Sequence, residues 1–159
     1  MDPTVTAARD LLAALRDDLC HGLAGQPWEA LNWRPYPGGN TIAGLVEHML
    51  ESARFQLAWG LGREDPANWP PYQEVAARHF AALTPDAASL LDRIERGVDA
   101  VMAELCRYTA ADLARELEAG GGRRTGALHV LLVCGHLREH WGQIQATRDL
   151  YGALVRGEV

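Results

Sequence analysis

The strongest chemical signal in this chain is a pair of histidines four residues apart, His136 and His140. On a helix, positions i and i+4 stand one turn apart on the same face, so two imidazoles there can converge on one metal ion while the backbone stays regular. The opposing reading is that an inward histidine is a hydrogen-bonded core residue, and a chain with six His contains such a pair by chance fairly often.

The stretch that must hold them, Leu128 to Tyr151, reads LHVLLVCGHLREHWGQIQATRDLY. It has no Pro, its Gly residues are isolated, and its apolar positions recur at helical spacing, so it reads as one long helix. At roughly 100° per residue, Leu132, His129, Gln143, Thr147, His140, Val133, Ile144 and Leu137 share about 140° of arc with His136. Arg138, Gly142, Gln145 and Asp149 face the other way. Both histidines are therefore expected on the side turned to a core. His129 shares that face but lies roughly 10 Å along the axis from His136, too far to share an ion with it. Cys134 points roughly 160° away from His136 and is expected to be a buried thiol, not a ligand.

His48 is the third candidate. The segment from Thr41 to about Gly60 has an apolar stripe of Ile42, Leu45, Val46, Met49, Ala53 and Leu57, and Asn40 has N-cap chemistry before it. His48 lies at the edge of that stripe, roughly 60° from Leu45. Gly44 and Ser52, one turn to either side, leave it space to face a cavity between helices. The simpler alternative is a boundary His bonded to water. In a helical bundle, His48 with His136 and His140 would provide three neutral nitrogen donors from two elements, which leaves coordination positions open for water or substrate.

Glu139 gives His136-Leu-Arg-Glu139-His140 the letters of the H-x-x-E-H peptidase motif, in which the Glu is the general base. Those enzymes take a third acidic ligand well downstream, and little sequence follows His140. Glu139 also lies roughly 60° to the outer side of His136, which suits a solvated residue better.

Further elements complete the bundle. Val5, Ala8, Leu12, Leu15 and Leu19, with Leu11 beside them, mark an amphipathic first helix over Thr4 to Cys20, ended by His21-Gly22 with His21 as a partner for the C-terminal dipole. Gly22 to Asn40 is rich in Gly, Pro and Trp and is expected to be a packed connection in which Trp28 and Trp33 cover one end of the core. Gly62, Pro66, Trp69, Pro70 and Pro71 break any regular element after Leu61, and Tyr72 to Leu83 has room for a short helix holding His79, at the surface or behind the ligands. Thr84-Pro85-Asp86 starts a third long helix with Leu91, Ile94, Val98, Val101 and Leu105 inward. Thr109 and Asp112 form a capping-box variant for a short turn to about Leu117. Gly120-Gly121-Gly122-Arg123-Arg124-Thr125-Gly126 is expected to be a hinge with solvated arginines; with no strand before it and no Gly-Lys-Ser/Thr ending, a phosphate loop has little support. No segment shows strand alternation. The expected architecture is all-α, four main helices with one or two short ones.

Composition bounds the function. The 159 residues are expected to form a single domain, 1–159, with 48% hydrophobic and 23% charged residues, an ordinary globular balance. A formal charge of −6 argues against nucleic acid or anionic membrane as main partner. No long apolar run or leader is evident, and Cys20, Cys106 and Cys134 are widely spaced and odd in number, so a soluble cytoplasmic protein is expected.

The segment from Asn40-Thr41-Ile42-Ala43-Gly44-Leu45 to His48-Met49-Leu50, followed by His136-Leu-Arg-Glu-His140-Trp-Gly142-Gln143-Ile144, resembles the DinB-like (YfiT-type) metalloenzyme family. The similarity extends to Leu31-Asn32-Trp33-Arg34-Pro35, to Thr84-Pro85-Asp86 and to Leu150-Tyr151-Gly152. The resemblance implies an up-down-down-up four-helix bundle, often a homodimer, with a divalent metal (zinc, nickel or iron) held by His48, His136 and His140. It further implies a small-molecule partner such as a low-molecular-weight thiol, since related enzymes include bacillithiol, mycothiol and glutathione transferases and a thiol-dependent isomerase. The implied reaction is thiol S-transfer or a hydrolase-type reaction at a three-His site. The alternative is a non-catalytic bundle that binds a metal or small molecule, as a dimeric stress-response or sensor module.

Overall fold

The computed structural model describes residues 2–65, 72–119 and 122–158. Four long helices form the body: α1 (Pro3–Leu23), α3 (Ile42–Gly60), α5 (Ala87–Leu105) and α7 (Gly126–Arg156). Short helices α2 (Trp28–Asn32), α4 (Tyr72–Phe80) and α6 (Ala110–Ala114) lie in the connections, and a hairpin of β1 (Glu116–Ala119) and β2 (Gly122–Thr125) precedes α7.

The long helices start where a side chain can satisfy the free backbone donors of the first turn. Asp2 accepts from Thr4 N at 2.8 Å and Pro3 opens α1. Thr41 accepts from Gly44 N at 2.9 Å, Asp86 from Ser89 N at 2.7 Å and Thr125 from Leu128 N at 3.2 Å. The cap of α3 is thus Thr41 and not Asn40. α7 ends at Gly157, whose φ of 71° is the left-handed conformation that glycine adopts without strain.

Contacts between helices fix their directions. Arg16 reaches Asp99 at 3.8 Å and Cys20 lies in the field of Glu95, so α1 and α5 are antiparallel. Arg93 bonds Glu47 and Glu51, whereas Arg63, just past the end of α3, pairs with Glu104 near the end of α5, so α3 and α5 are parallel. His48 meets His136 and His140, and Gln56 meets His129, so α3 and α7 are antiparallel. Asp18 pairs with Arg138 and Gly22 abuts Trp141, so α1 and α7 are parallel. The result is an up-down-down-up four-helix bundle. One apolar core fills it, including Leu12, Leu19, Leu45, Met49, Ile94, Val98, Leu137 and Ile144.

The connections depart from expectation in physical detail. Part of the Gly/Pro/Trp segment is helical: α2 buries Ala30 and Leu31, and the Asn32 amide pairs with both backbone groups of Thr84, at 2.9 Å each, tying α2 to the approach to α5. Trp33 packs edge-on against Tyr151, whereas Trp28 stays half exposed. Leu90, not Leu91, takes the first inward position of α5; two adjacent leucines fit the spacing equally, and the observed register buries Leu90, Ile94, Val98, Val101 and Leu105. Leu132 is 48% exposed because the contact stripe on α7 is narrower than the apolar arc. Thr109 and Asp112 do form a capping box, but the turn stops at Ala114 and the chain enters the hairpin. There Glu116 pairs with Arg123 at 2.6 Å, so cross-strand charge, not apolar alternation, accompanies the strands. Arg124 is only partly exposed: its guanidinium stands 5.7 Å from the Trp59 ring centroid. Pro66, Trp69, Pro70, Pro71, Gly120 and Gly121 lie outside the described residues. Among the described residues, no helix is long and apolar enough to cross a membrane.

The start of α7 leaves no space for a side chain. A Cβ on Gly126 would stand 2.1 Å from the carbonyl oxygen of Asp112 and 3.1 Å from Cα of Leu113, both backbone. Gly126→Ala is expected to lower unfolding free energy by about 1–3 kcal/mol. An unchanged urea midpoint would show that α6 and α7 do not approach so closely.

Candidate metal centre

The centre lies where one turn of α3 faces two successive inward turns of α7. His48 is 3% exposed, His140 8% and His136 intermediate. Ring centroids stand 4.5 Å apart for His136 and His140, 4.9 Å for His48 and His140, and 5.6 Å for His48 and His136. Each residue offers one ligand nitrogen such that all three atoms lie within 4.8 Å of one another.

The gap beside His48 is filled, not open. Gly44 admits backbone there: a Cβ at that position would stand 2.8 Å from the carbonyl oxygen of Phe80. Phe80, at the end of α4, stacks on the His48 ring at 4.5 Å and 30°. His79 comes with it, half-buried, its ring centroid 5.8 Å from that of His48. Next to them, Arg93 donates to Glu47 at 2.8 Å and to Glu51 at 2.7 Å, close enough for all three charges to act on His79, and fixes the turn that carries His48 against α5.

Burial sets the protonation. It pushes His48 down to about 4, helped by the positive charge that His140, His136 and His79 would carry. Burial also lowers His136, with His140 adding to the effect and Glu139 opposing it. These imidazoles are neutral near pH 7, the form that can donate a lone pair. His140 Nδ1 donates to Gln143 Oε1 at 2.9 Å. This leaves the lone pair on Nε2 and holds the ring's orientation, the usual support for a metal-binding imidazole.

The residues fit a divalent cation on one further observation. His48 Nδ1 and His136 Nε2 are buried with no hydrogen-bond partner in the structure, an unfavourable state for polar atoms unless something else engages them. Three nitrogen donors from two helices, with a partner already in place for the third ring, form a set that a transition ion accepts.

The other histidines and thiols lie apart. His129 is fully buried, but its Nε2 donates to the Gln56 carbonyl at 2.8 Å and its ring meets Trp59 edge-on at 5.0 Å, so it secures the end of α3. His21 is exposed in the last turn of α1, and Glu139 is exposed on α7. Cys134 is buried in the core, which pushes its thiol up and keeps it protonated. Sequence reasoning missed Phe80 and Gln143. Gln143 had a signal, its i+3 spacing from His140 on the same face; Phe80 had none, because it reaches His48 from a different element.

The family model described as the DinB superfamily matches residues 4–144. The chain belongs to the DinB superfamily. No curated protein matches its sequence. Among solved structures, a conserved protein of Enterococcus faecalis superposes with a TM-score of 0.74 at 17% identity, covering 94% of this chain and 97% of that one. A DinB-like protein of Bacillus cereus gives 0.63 at 16% identity, covering 87% and 86%. A mycothiol-dependent maleylpyruvate isomerase gives 0.63 at 14% identity, covering 88% of this chain and 62% of that protein. At such identities these neighbours speak to the fold, a DinB-like bundle.

The depressed histidines give stability a pH dependence. The unfolded chain takes protons on its histidines near their ordinary value of about 6.5, while folded His48 resists protonation until about 4. Between those values the unfolded state binds more protons, so stability falls as pH falls. Metal-free protein is expected to unfold at progressively lower urea concentration from pH 7 to pH 4.5, and His48→Leu should flatten that trend. A midpoint constant over the range, or a His48→Leu slope equal to wild type, would refute the burial account.

Proposed function

We propose that this member of the DinB superfamily is a divalent-metal-dependent enzyme that activates a low-molecular-weight thiol for S-transfer. The observation that carries the reading is the convergence of His48, His136 and His140 with orphaned nitrogens buried between α3 and α7. Zinc, nickel and iron all suit such nitrogen donors. When bound, the ion would supply a Lewis acid that deprotonates a coordinated thiol, or a water in a hydrolase-type reaction, near neutral pH. The chain's part is to hold His48 and His136 neutral by burial, to orient His140 through Gln143, and to keep water from His48 with Phe80. The mycothiol-dependent neighbour supports a thiol as the small-molecule partner.

A homodimer in the cytoplasm completes the proposal. Three free cysteines suit a reducing compartment, and the exposed Leu128, Leu131 and Leu132 on one side of α7 are apolar surface that a second subunit would cover. The second reading, a non-catalytic metal- or small-molecule-binding module, is favoured by one observation. Among the described residues, no carboxylate joins the three-histidine group, and Glu139 is exposed.

Equilibrium dialysis of tag-free protein against zinc, nickel and iron, followed by thiol transfer to an electrophile such as a chloro-aromatic or an epoxide, tests both. His48→Ala, His136→Ala and His140→Ala should each abolish stoichiometric binding and turnover with helicity nearly unchanged, because apolar packing holds the bundle. Gln143→Leu should keep the stoichiometry but weaken metal affinity by about 10- to 100-fold. Stoichiometric metal without turnover would favour the binding module, and no metal at all would end both metal readings.

A further inference from the structure

Beside the histidines, α7 and the chain around residues 35–45 enclose an open cavity of about 460 Å³. Leu45 and Thr147 form its floor, 2% and 6% exposed, and Tyr36 and Leu150 its rim. Asn40 and Gln143 complete the wall. Two of these residues join it to the centre: the Gln143 side chain that lines it also accepts the His140 Nδ1 proton at 2.9 Å, and Leu45 stands about one turn before His48 on α3.

Two properties of the lining point to a ligand class. Among the described residues, no charged side chain lines the cavity, in a chain whose residues are 23% charged. Nor, among the described residues, does a hydrogen bond within the chain engage the hydroxyls of Tyr36 and Thr147 or the amide of Asn40. Gln143 spends its carbonyl oxygen on His140, so its two amide hydrogens stay available.

We infer that this cavity is the recognition subsite for the neutral, hydroxyl- or amide-bearing part of the ligand that reaches the three imidazoles. A carboxylate or phosphate would give up its water here with no cation to replace it. A hydroxyl or amide finds up to four side chains ready to bond it, and the carbon skeleton between such groups lies along Leu45 and Leu150. Only the step at the imidazoles rests on the proposed thiol chemistry; recognition of the neutral part does not need the metal.

The test compares N-acetylethanolamine with N-acetylglycine, which has a carboxylate in place of the alcohol, by ligand-observed NMR titration of the full chain in chelator. N-acetylethanolamine is expected to bind at least about tenfold more tightly than N-acetylglycine, as an unpaired charge is excluded from such a site. Thr147→Val and Asn40→Ala should each weaken N-acetylethanolamine about threefold to tenfold, the loss of one hydrogen bond, with helicity and urea midpoint close to wild type. Equal or tighter binding of N-acetylglycine, no binding of N-acetylethanolamine, or two folded variants that bind it like wild type would each overturn the inference. A parallel titration of zinc-treated protein with N-acetylcysteamine separates the two proposals. If its thiol adds no affinity over N-acetylethanolamine while the discrimination above holds, the thiol reading fails and the neutral subsite stands.

Discussion

The antiparallel contact between α3 and α7 is the constraint on which this molecule depends. It sets a single turn of one helix opposite two turns of the other and removes three imidazoles from water together. Desolvation disfavours the cationic forms of His48 and His136 and leaves a nitrogen of each without a partner, both unfavourable for an empty core. The arrangement persists because apolar packing above and below it, from Leu45, Met49, Leu137 and Ile144, is continuous.

Much of the remaining polar structure steadies α3. At its middle Arg93 spans Glu47 and Glu51 from α5. At its end, carbonyls of Gln56, Leu57 and Gly60 accept from His129, from the Tyr108 hydroxyl at 3.0 Å and from Arg115. These donors come from α7, from the chain after α5 and from the residue after α6, so the helix that carries His48 is secured by elements distant in sequence. The buried His129 therefore belongs to the same design as the cluster without joining it.

The long helices were legible because their apolar residues recur at 3 and 4 spacing, and the His136/His140 pair was legible because one helix fixes both rings. That His48 would meet them does not follow from spacing within any element; it follows from how two helices of a bundle face each other, an arrangement the bundle reading proposed and the family resemblance then reinforced. The hairpin escaped notice because its exposed strands are held by the cross-strand charge pair of Glu116 with Arg123 and leave no apolar alternation. Gly44 was read as leaving room beside His48, and it does, but the occupant is the backbone of Phe80. Small residues announce close approach and say nothing about which chain approaches.

The parallel run of α3 and α5 has an evolutionary implication. Two neighbours pointing the same way oblige the chain to travel back along the bundle between Gly60 and Ala87, and α4 with His79 and Phe80 rides on that return path over His48. A wall of the three-histidine cluster is thus made from a tether the topology already demands. Substitutions there can reshape the surroundings of His48 while the load on the four pillars stays the same, so this side of the cluster is free to vary without cost to the bundle.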